Sequence, residues 1–178
     1  MNLVDRLVNA LDEDACTRYP PCLPEAVHQA EKELQLKFPW LLVECLTKVG
    51  NGGFGPGYGV IGIQGNESDF GDLVNTCTQI RRQRDQANKQ WVHDLLPFCT
   101  WGGNIFACVD CKTTDVWILR GEAENELEKT SMSLEAFFSR WLDGASGTEL
   151  LESFRFAKKS IIVRDPVTGK DIEVFSGP

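Results

Sequence analysis

A glycine-rich loop near the end of the first third of the chain most constrains how it folds. Glycine adopts backbone conformations that a Cβ forbids, so a run of glycines fixes a sharp change of chain direction. Leu42, Leu46 and Val49 recur at helical spacing after Pro39 and predict a short helix with a left-handed cap at Gly50. Five glycines then lie within eight residues: Gly52, Gly53, Gly55, Gly57 and Gly59.

The loop contains a match to a dinucleotide-binding fingerprint, but the position of the loop in the chain argues against nucleotide binding. Residues 57–62 read Gly-Tyr-Gly-Val-Ile-Gly. That fingerprint functions after a strand and at the start of a helix, where the helix N-terminus meets the pyrophosphate. Here the loop follows a helix C-terminus, whose partial negative charge repels phosphate. We therefore expect a tight connection from a helix to a strand over Tyr58–Ile63, and no nucleotide binding.

Composition and charge exclude several classes of protein. The chain has 178 residues, of which 42% are hydrophobic, a length and composition that suit one domain with a sizeable core. It has no apolar run of membrane-spanning length and no evident signal peptide, so we expect a cytoplasmic protein. The net charge of −8 disfavours nucleic-acid binding and favours a basic protein partner. The basic run 81–84 is interpreted as the solvated end of a helix.

The cysteines and histidines do not form a convincing catalytic or metal site. Seven cysteines, an odd and scattered set, do not predict a disulfide framework. Cys108 and Cys111 form a lone C-x-x-C, to which His93 and Cys99 could add zinc ligands. However, positions i and i+3 of a strand point to opposite faces. A Cys99–His93 dyad has only sequence proximity in its favour. We therefore predict no enzyme activity, no metal and no cofactor, and keep a thiol enzyme or zinc protein as a weak alternative.

Helices dominate the first half of the chain and strands cluster in the middle, which predicts an α+β domain. Two predicted helices cover residues 2–13 and about 68–87, and two more start at Pro24 and at Pro39. A fifth is capped by Ser133 and ends before Gly144, and a sixth is capped by Thr148. Predicted strands are Tyr58–Ile63, Leu95–Trp101 with Pro97 at an edge or strand start, a hairpin of Asn104–Cys111 and Asp115–Leu119, and a terminal hairpin of Ile161–Arg164 and Lys170–Phe175.

An ordered set of short motifs resembles the SUKH superfamily of SMI/KNR-type domains. The set consists of Leu23-Pro24 with Glu31 and Leu34, Phe38-Pro39 with the helix to Val49, residues 51–59, residues 96–103, residues 106–111 and the helix Ser133–Trp141. The resemblance covers about residues 20–143. The chain departs from it at Trp40-Leu41-Leu42, where more polar residues are expected, and in an extension over residues 144–178.

The resemblance implies a single domain over residues 1–178, with a twisted, mainly antiparallel sheet flanked by helices. It implies no catalytic residues. Many bacterial members of the superfamily are thought to be immunity proteins that bind a toxin, often a nuclease, and fungal members act as interaction proteins in cell-wall signalling. A toxin-binding immunity protein is therefore the first functional hypothesis, and an intracellular adaptor is the alternative.

Acidic residues supply the predicted partner-binding surface. In an extended chain, alternate residues lie on one side, so four alternating glutamates form one acidic edge. A solvated loop is the competing interpretation. The hypothesis is a patch that binds a basic toxin by mimicking nucleic-acid charge, formed by Glu122, Glu124, Glu126 and Glu128 with Glu67, Asp69 and Asp72.

The aromatic residue Trp101, followed by Gly102, is expected to serve the fold rather than a binding site. Trp101 ends a predicted apolar strand, and Gly102 begins the turn that follows it. If the indole ring is buried, a Trp101→Ala change is expected to cost about 3–5 kcal/mol.

Overall fold

The computed structural model describes residues 1–13, 18–63, 71–89, 91–120, 127–153, 160–164 and 171–175, the last two ranges as backbone only. The helices are α1 (Leu3–Glu13), α2 (Pro24–Leu34), α3 (Trp40–Glu44, continued by a π-helical turn over Cys45–Val49), α4 (Leu73–Gln86), α5 (Leu134–Leu142) and α6 (Gly147–Ser153). The strands are β1 (Gly59–Val60), β2 (Leu95–Gly102), β3 (Ile105–Asp110), β4 (Asp115–Leu119), β5 (Leu127–Ser133), β6 (Ser160–Arg164) and β7 (Asp171–Phe175).

The centre of the fold is a five-stranded antiparallel sheet in the order β1-β2-β3-β4-β5. Strands β6 and β7 form a separate two-stranded sheet. Three consecutive residues of β3, Ala107, Cys108 and Val109, are fully buried. Because successive strand residues point to opposite faces, the sheet is covered on both sides at this strand. The predicted α+β class, with an antiparallel sheet flanked by helices, is confirmed.

Helix α5 covers the sheet with an aromatic cluster. It starts where the Ser133 hydroxyl accepts a hydrogen bond from the Ala136 N–H at 3.2 Å, which confirms the predicted cap. Phe137 and Phe138 follow on its inner side and are fully buried. The ring of Phe137 meets that of Phe98 on β2 edge-on, with centroids 5.1 Å apart. Edge-to-face pairs of this kind add specificity to the burial of aromatic area.

Helix α4 begins later than its hydrophobic pattern predicts. Gly71 has a φ of +75°, outside the helical region, and Asp72 is the N-cap. The Asp72 carboxylate accepts hydrogen bonds from the backbone N–H of Asn75 at 2.8 Å and from its side-chain amide at 2.6 Å. The predicted start at about residue 68 falls among residues 64–70, which lie outside the described residues.

A buried carboxylate joins α2 to α3. Glu31 is 8% exposed, and one of its oxygens accepts a hydrogen bond from the Phe38 N–H at 2.9 Å. The other oxygen lies 2.9 Å from the Lys37 ammonium. Pro39, expected in the first turn, is instead the N-cap of α3. Glu31 therefore fixes the backbone immediately before the residue at which α3 starts.

The glycine loop is tightly packed. All five of its glycines have positive φ values, as the sequence predicts. Gly50 does not adopt the predicted left-handed cap, since its φ of 174° is extended. A Cβ at Gly50 would instead lie 2.8 Å from the carbonyl oxygen of Tyr19, so close packing requires glycine there.

The loop folds back over β1, which is shorter than predicted. Only Gly59–Val60 of the predicted strand Tyr58–Ile63 is assigned to the sheet. The Val60 N–H donates to the Phe54 carbonyl at 2.6 Å, and the Gly53 N–H donates to the Val60 carbonyl at 3.0 Å. Further along, the Asn51 side chain bonds both backbone groups of Ile63, each at 2.7 Å. Side-chain and loop hydrogen bonds thus replace strand pairing in this segment.

Other sequence predictions differ from the structure in detail. Helix α6 is capped by Ser146 rather than Thr148, through reciprocal bonds between Ser146 and Glu149. Pro97 is the third residue of β2 and faces Cys108, while β1 pairs only with Cys99 and Thr100. The missing N–H of Pro97 therefore lies beyond the β1 pairs.

Candidate protein-binding surface

The predicted acidic patch is only partly within the described structure. Glu122, Glu124, Glu126, Glu67 and Asp69 lie outside the described residues. Glu128 is described. It is exposed on β5, the outer strand of the sheet, and pairs in register with Ile118 of β4.

The remaining member of the predicted patch, Asp72, has a structural role. Both of its oxygens hold Asn75 at the start of α4. Its negative charge also lies at the positive end of that helix, where it stabilises the helix dipole. The sequence pattern extended the helix through this residue and therefore missed the cap, although aspartate is a favoured N-cap residue.

Ion pairs stabilise the strands next to Glu128. Lys129 pairs with Asp115 across β4 and β5 at 2.6 Å. The Lys129 ammonium, and second the Thr113 hydroxyl, hold the pKa of Asp115 below its usual range. In the turn between β3 and β4, Lys112 lies 2.7 Å from Asp94 and lowers the pKa of that carboxyl. Both carboxylates are therefore ionised over the physiological range.

Two large aromatic side chains lie on the surface. Trp40, the first residue of α3, is 69% exposed, and Tyr58, at the end of the glycine loop, is 66% exposed. Trp40 follows the segment that Glu31 fixes through the Phe38 N–H. Tryptophan and tyrosine are enriched at the energetically dominant positions of protein interfaces. One sequence signal pointed to this feature: the departure from the family pattern at Trp40.

Tyr58 is held against a second glycine turn. A Cβ at Gly102 would lie 2.6 Å from the Tyr58 ring, so the ring packs directly over the bare backbone there. The Tyr58 N–H also donates to the Thr100 carbonyl at 2.8 Å. The ring therefore combines a large exposed area with a fixed position, which lowers the entropy cost of using it in an interface.

Trp101 has the contacts of a structural residue. It is half-buried, and its indole N–H donates to the Gly147 carbonyl at 3.0 Å. Its ring meets the Phe137 ring edge-on at 6.2 Å. These contacts link β2 to α5 and α6, and they support the prediction that Trp101 serves the fold.

The described cysteines have the environment of inert thiols. Burial raises the pKa of Cys45 to about 12 and of Cys77 to about 11, and raises the pKa of Cys99 further. A thiol with a raised pKa stays protonated at neutral pH and is a poor nucleophile. The Cys99 thiol donates to the Pro56 carbonyl at 3.3 Å, whereas His93 is exposed beside Asp94.

The C-x-x-C pair has the same character. Cys108 is buried in β3. The sequence predicts that Cys111 also lies in this strand, but β3 ends at Asp110 and Cys111 lies in the turn that follows. Burial raises the pKa of both thiols, that of Cys111 to about 12. Within the described part of the chain, no three or more His, Cys, Asp or Glu side chains are arranged to hold a metal ion.

An antiparallel sheet with flanking helices, closed at one edge by a glycine-rich loop, defines this chain as a small α+β protein. No described helix has the length and apolar composition needed to cross a bilayer. The chain matches the SMI1 / KNR4 family (SUKH-1) over residues 21–140, and it belongs to this family. Among curated proteins, no significant match to the chain is found.

Proposed function

We propose that this protein is a non-catalytic, cytoplasmic protein-binding domain that acts as an immunity protein. In this proposal it binds a cognate bacterial toxin with a basic surface, such as a nuclease, and blocks it. Membership of the SMI1 / KNR4 family supports a protein partner. The net charge of −8 supports a partner of opposite charge.

The observation that carries the binding proposal is the exposed indole of Trp40 at the start of α3. An indole that contributes little to the core but is held on a fixed backbone is suited to act as an anchor in a partner's pocket. Glu128 and the acidic segment before it in the sequence would steer the basic partner, and Trp40 would contribute to the lifetime of the complex.

The first experiment identifies the partner. A toxin-like reading frame beside the gene would be expressed in sensitive cells with and without this protein. Protection of the cells, together with co-purification of the two proteins, is the expected result. Co-purification from the native host with an endogenous protein that is not a toxin would instead support an adaptor role.

The second experiment tests the acidic patch by association kinetics. We expect the variant in which Glu122, Glu124, Glu126 and Glu128 are all replaced by glutamine to associate with the partner about tenfold or more slowly than the wild type at low salt. Its matched control makes the same change in net charge at four other acidic positions: Asp5→Asn, Glu25→Gln, Glu33→Gln and Asp85→Asn. We expect the control to change the rate by less than about threefold, since these residues lie on other elements. Equal rates for the two variants would show that net charge, rather than this patch, steers the partner.

A further inference from the structure

The C-terminal hairpin is a feature that the family match does not explain. Strands β6 and β7 pair with each other in a sheet of their own, and they follow residue 140, where the family match ends. An isolated two-stranded hairpin is at best marginally stable in water. Its stability therefore requires that it pack against something.

The pairing register divides the hairpin into two unlike faces. Residues of paired strands alternate between faces, and directly paired residues share a face. Two of the pairs are Ile161 with Val174 and Val163 with Ile172. These four aliphatic positions lie on one face. The other face holds the pairs Ser160 with Phe175, Ile162 with Glu173 and Arg164 with Asp171.

The extension differs in charge from the rest of the chain. Residues 154–178 hold five of the 18 basic residues and three of the 26 acidic ones, which leaves 13 basic and 23 acidic residues in residues 1–153. The extension is thus net positive and the remainder strongly negative. The basic residues of the extension are Arg155, Lys158, Lys159, Arg164 and Lys170.

We propose that the hairpin docks in cis, with its aliphatic face packed onto the α5–α6 surface of the same chain. Seven residue steps separate Ser153 at the end of α6 from Ser160, so the first residue of the hairpin stays within about 25 Å of that helix end. Three half-buried apolar residues, Trp141, Leu142 and Leu151, lie on α5 and α6. The exposed carboxylate of Glu152 lies beside Leu151 and matches the positive charge of the extension.

Size favours docking in cis over a dimer built on the hairpin. Four aliphatic side chains bury a few hundred Å², well below the roughly 1,200–2,000 Å² of a stable protein–protein interface. A covalent tether gives the docking surface an effective concentration of the order of millimolar, at which a small contact is sufficient. This inference goes beyond the proposed function and does not depend on the partner's identity.

Two isoleucines that are neighbours in sequence provide a matched test on the full-length chain. Ile161 lies on the aliphatic face and Ile162 on the other, so the same substitution at each separates docking from strand propensity. Hydrogen exchange of the amides in 160–164 and 171–175 is the measurement. We expect I161T to speed this exchange at least tenfold and I162T to change it less than about threefold. Equal rates in the two variants would overturn the proposal.

Charge and oligomeric state complete the test. We expect E152K to speed exchange in the hairpin several-fold and E25K, at an exposed site on α2, to leave it unchanged. Equal effects of the two lysine variants would reject the α5–α6 surface as the docking site. Sedimentation of the wild type from 1 to about 100 µM should give a constant monomer mass. A mass that doubles over this range while hairpin protection rises with it would assign the aliphatic face to a dimer instead.

Discussion

The aromatic residues between α5 and the sheet and those on the surface belong to the same chemical class. They differ in the contacts that fix their positions. Phe98, Phe137 and Phe138 are fully buried, and their rings contact one another. Trp40 and Tyr58 expose about two-thirds of their area. The three buried rings are fixed by their packing against one another. The two exposed rings are fixed by the backbone segments that carry them. We therefore expect the first group to set stability and the second to set binding.

The largest expected effect is that of Phe137→Ala. Phe137 is buried and contacts three other rings, those of Phe98, Trp101 and Phe138. Its removal leaves a cavity and should lower the free energy of unfolding by about 3–5 kcal/mol in a denaturant titration. A loss below about 1.5 kcal/mol would show that the cluster repacks and that its rings are not fixed by one another.

The next largest effect concerns the backbone beneath Tyr58. Gly57 has a φ of +67°, and a Cβ there would lie 2.8 Å from both the Thr100 carbonyl oxygen and the Trp101 ring. We expect Gly57→Ala to destabilise the protein by about 2–4 kcal/mol, from left-handed strain and this clash together. Gly103→Ala is the control, since φ is +55° there and a Cβ meets nothing within 4 Å. The control should lose about 1–2 kcal/mol. Equal losses would mean that only conformation, and not close packing, requires the glycine.

Trp101 lies between the two groups, and its effect should be intermediate. Because its ring is half-buried, we expect Trp101→Ala to cost about 2–3 kcal/mol, less than full burial would give. Denaturant titration measures this cost. Trp101→Phe keeps the ring contact and loses the hydrogen bond to Gly147. It should recover at least half of the loss. A cost below about 1 kcal/mol for the alanine variant would place Trp101 with the surface aromatics.

The smallest effect on stability is expected at Trp40. Removal of an exposed side chain should change the free energy of unfolding by less than about 0.5 kcal/mol. The same Trp40→Ala variant should weaken binding to the cognate partner by tenfold or more, mainly through faster dissociation. Unchanged dissociation would remove the indole from the interface and end the contrast between the two groups of aromatics.

Sequence patterns predicted most of the elements because hydrophobic periodicity reflects burial directly. The helix α5 and its Ser133 cap, the β3–β4 hairpin and the terminal hairpin all carry local signals of this kind. Strand β5 was missed as an element, because Leu127–Ser133 has one buried residue and acquires its strand conformation by pairing with β4.

Features that depend on tertiary contacts were not predictable from the sequence. The requirement for glycine at Gly50 comes from the carbonyl of Tyr19, which is remote in sequence. The buried position of Glu31 depends on the return of the chain to Phe38. The same limit applies to the candidate surface. The alternating glutamates show in the sequence where negative charge lies. The exposure of Trp40 and Tyr58 depends on how the rest of the chain packs around them, which the sequence pattern does not show.

The hydrogen bonds between the glycine loop and Val60 determine at which edge the main sheet could accept a further strand. Both backbone groups of Val60 are occupied by Phe54 and Gly53 of its own loop, so a foreign strand finds no free template there. Within the described sheet, the open edge is that of β5. Two features protect that edge: the charged residues Glu128 and Lys129, and a break in register opposite Asp115 and Trp117. An added strand from another chain would therefore pair with β5, and the charges and the break in register on that strand oppose such pairing.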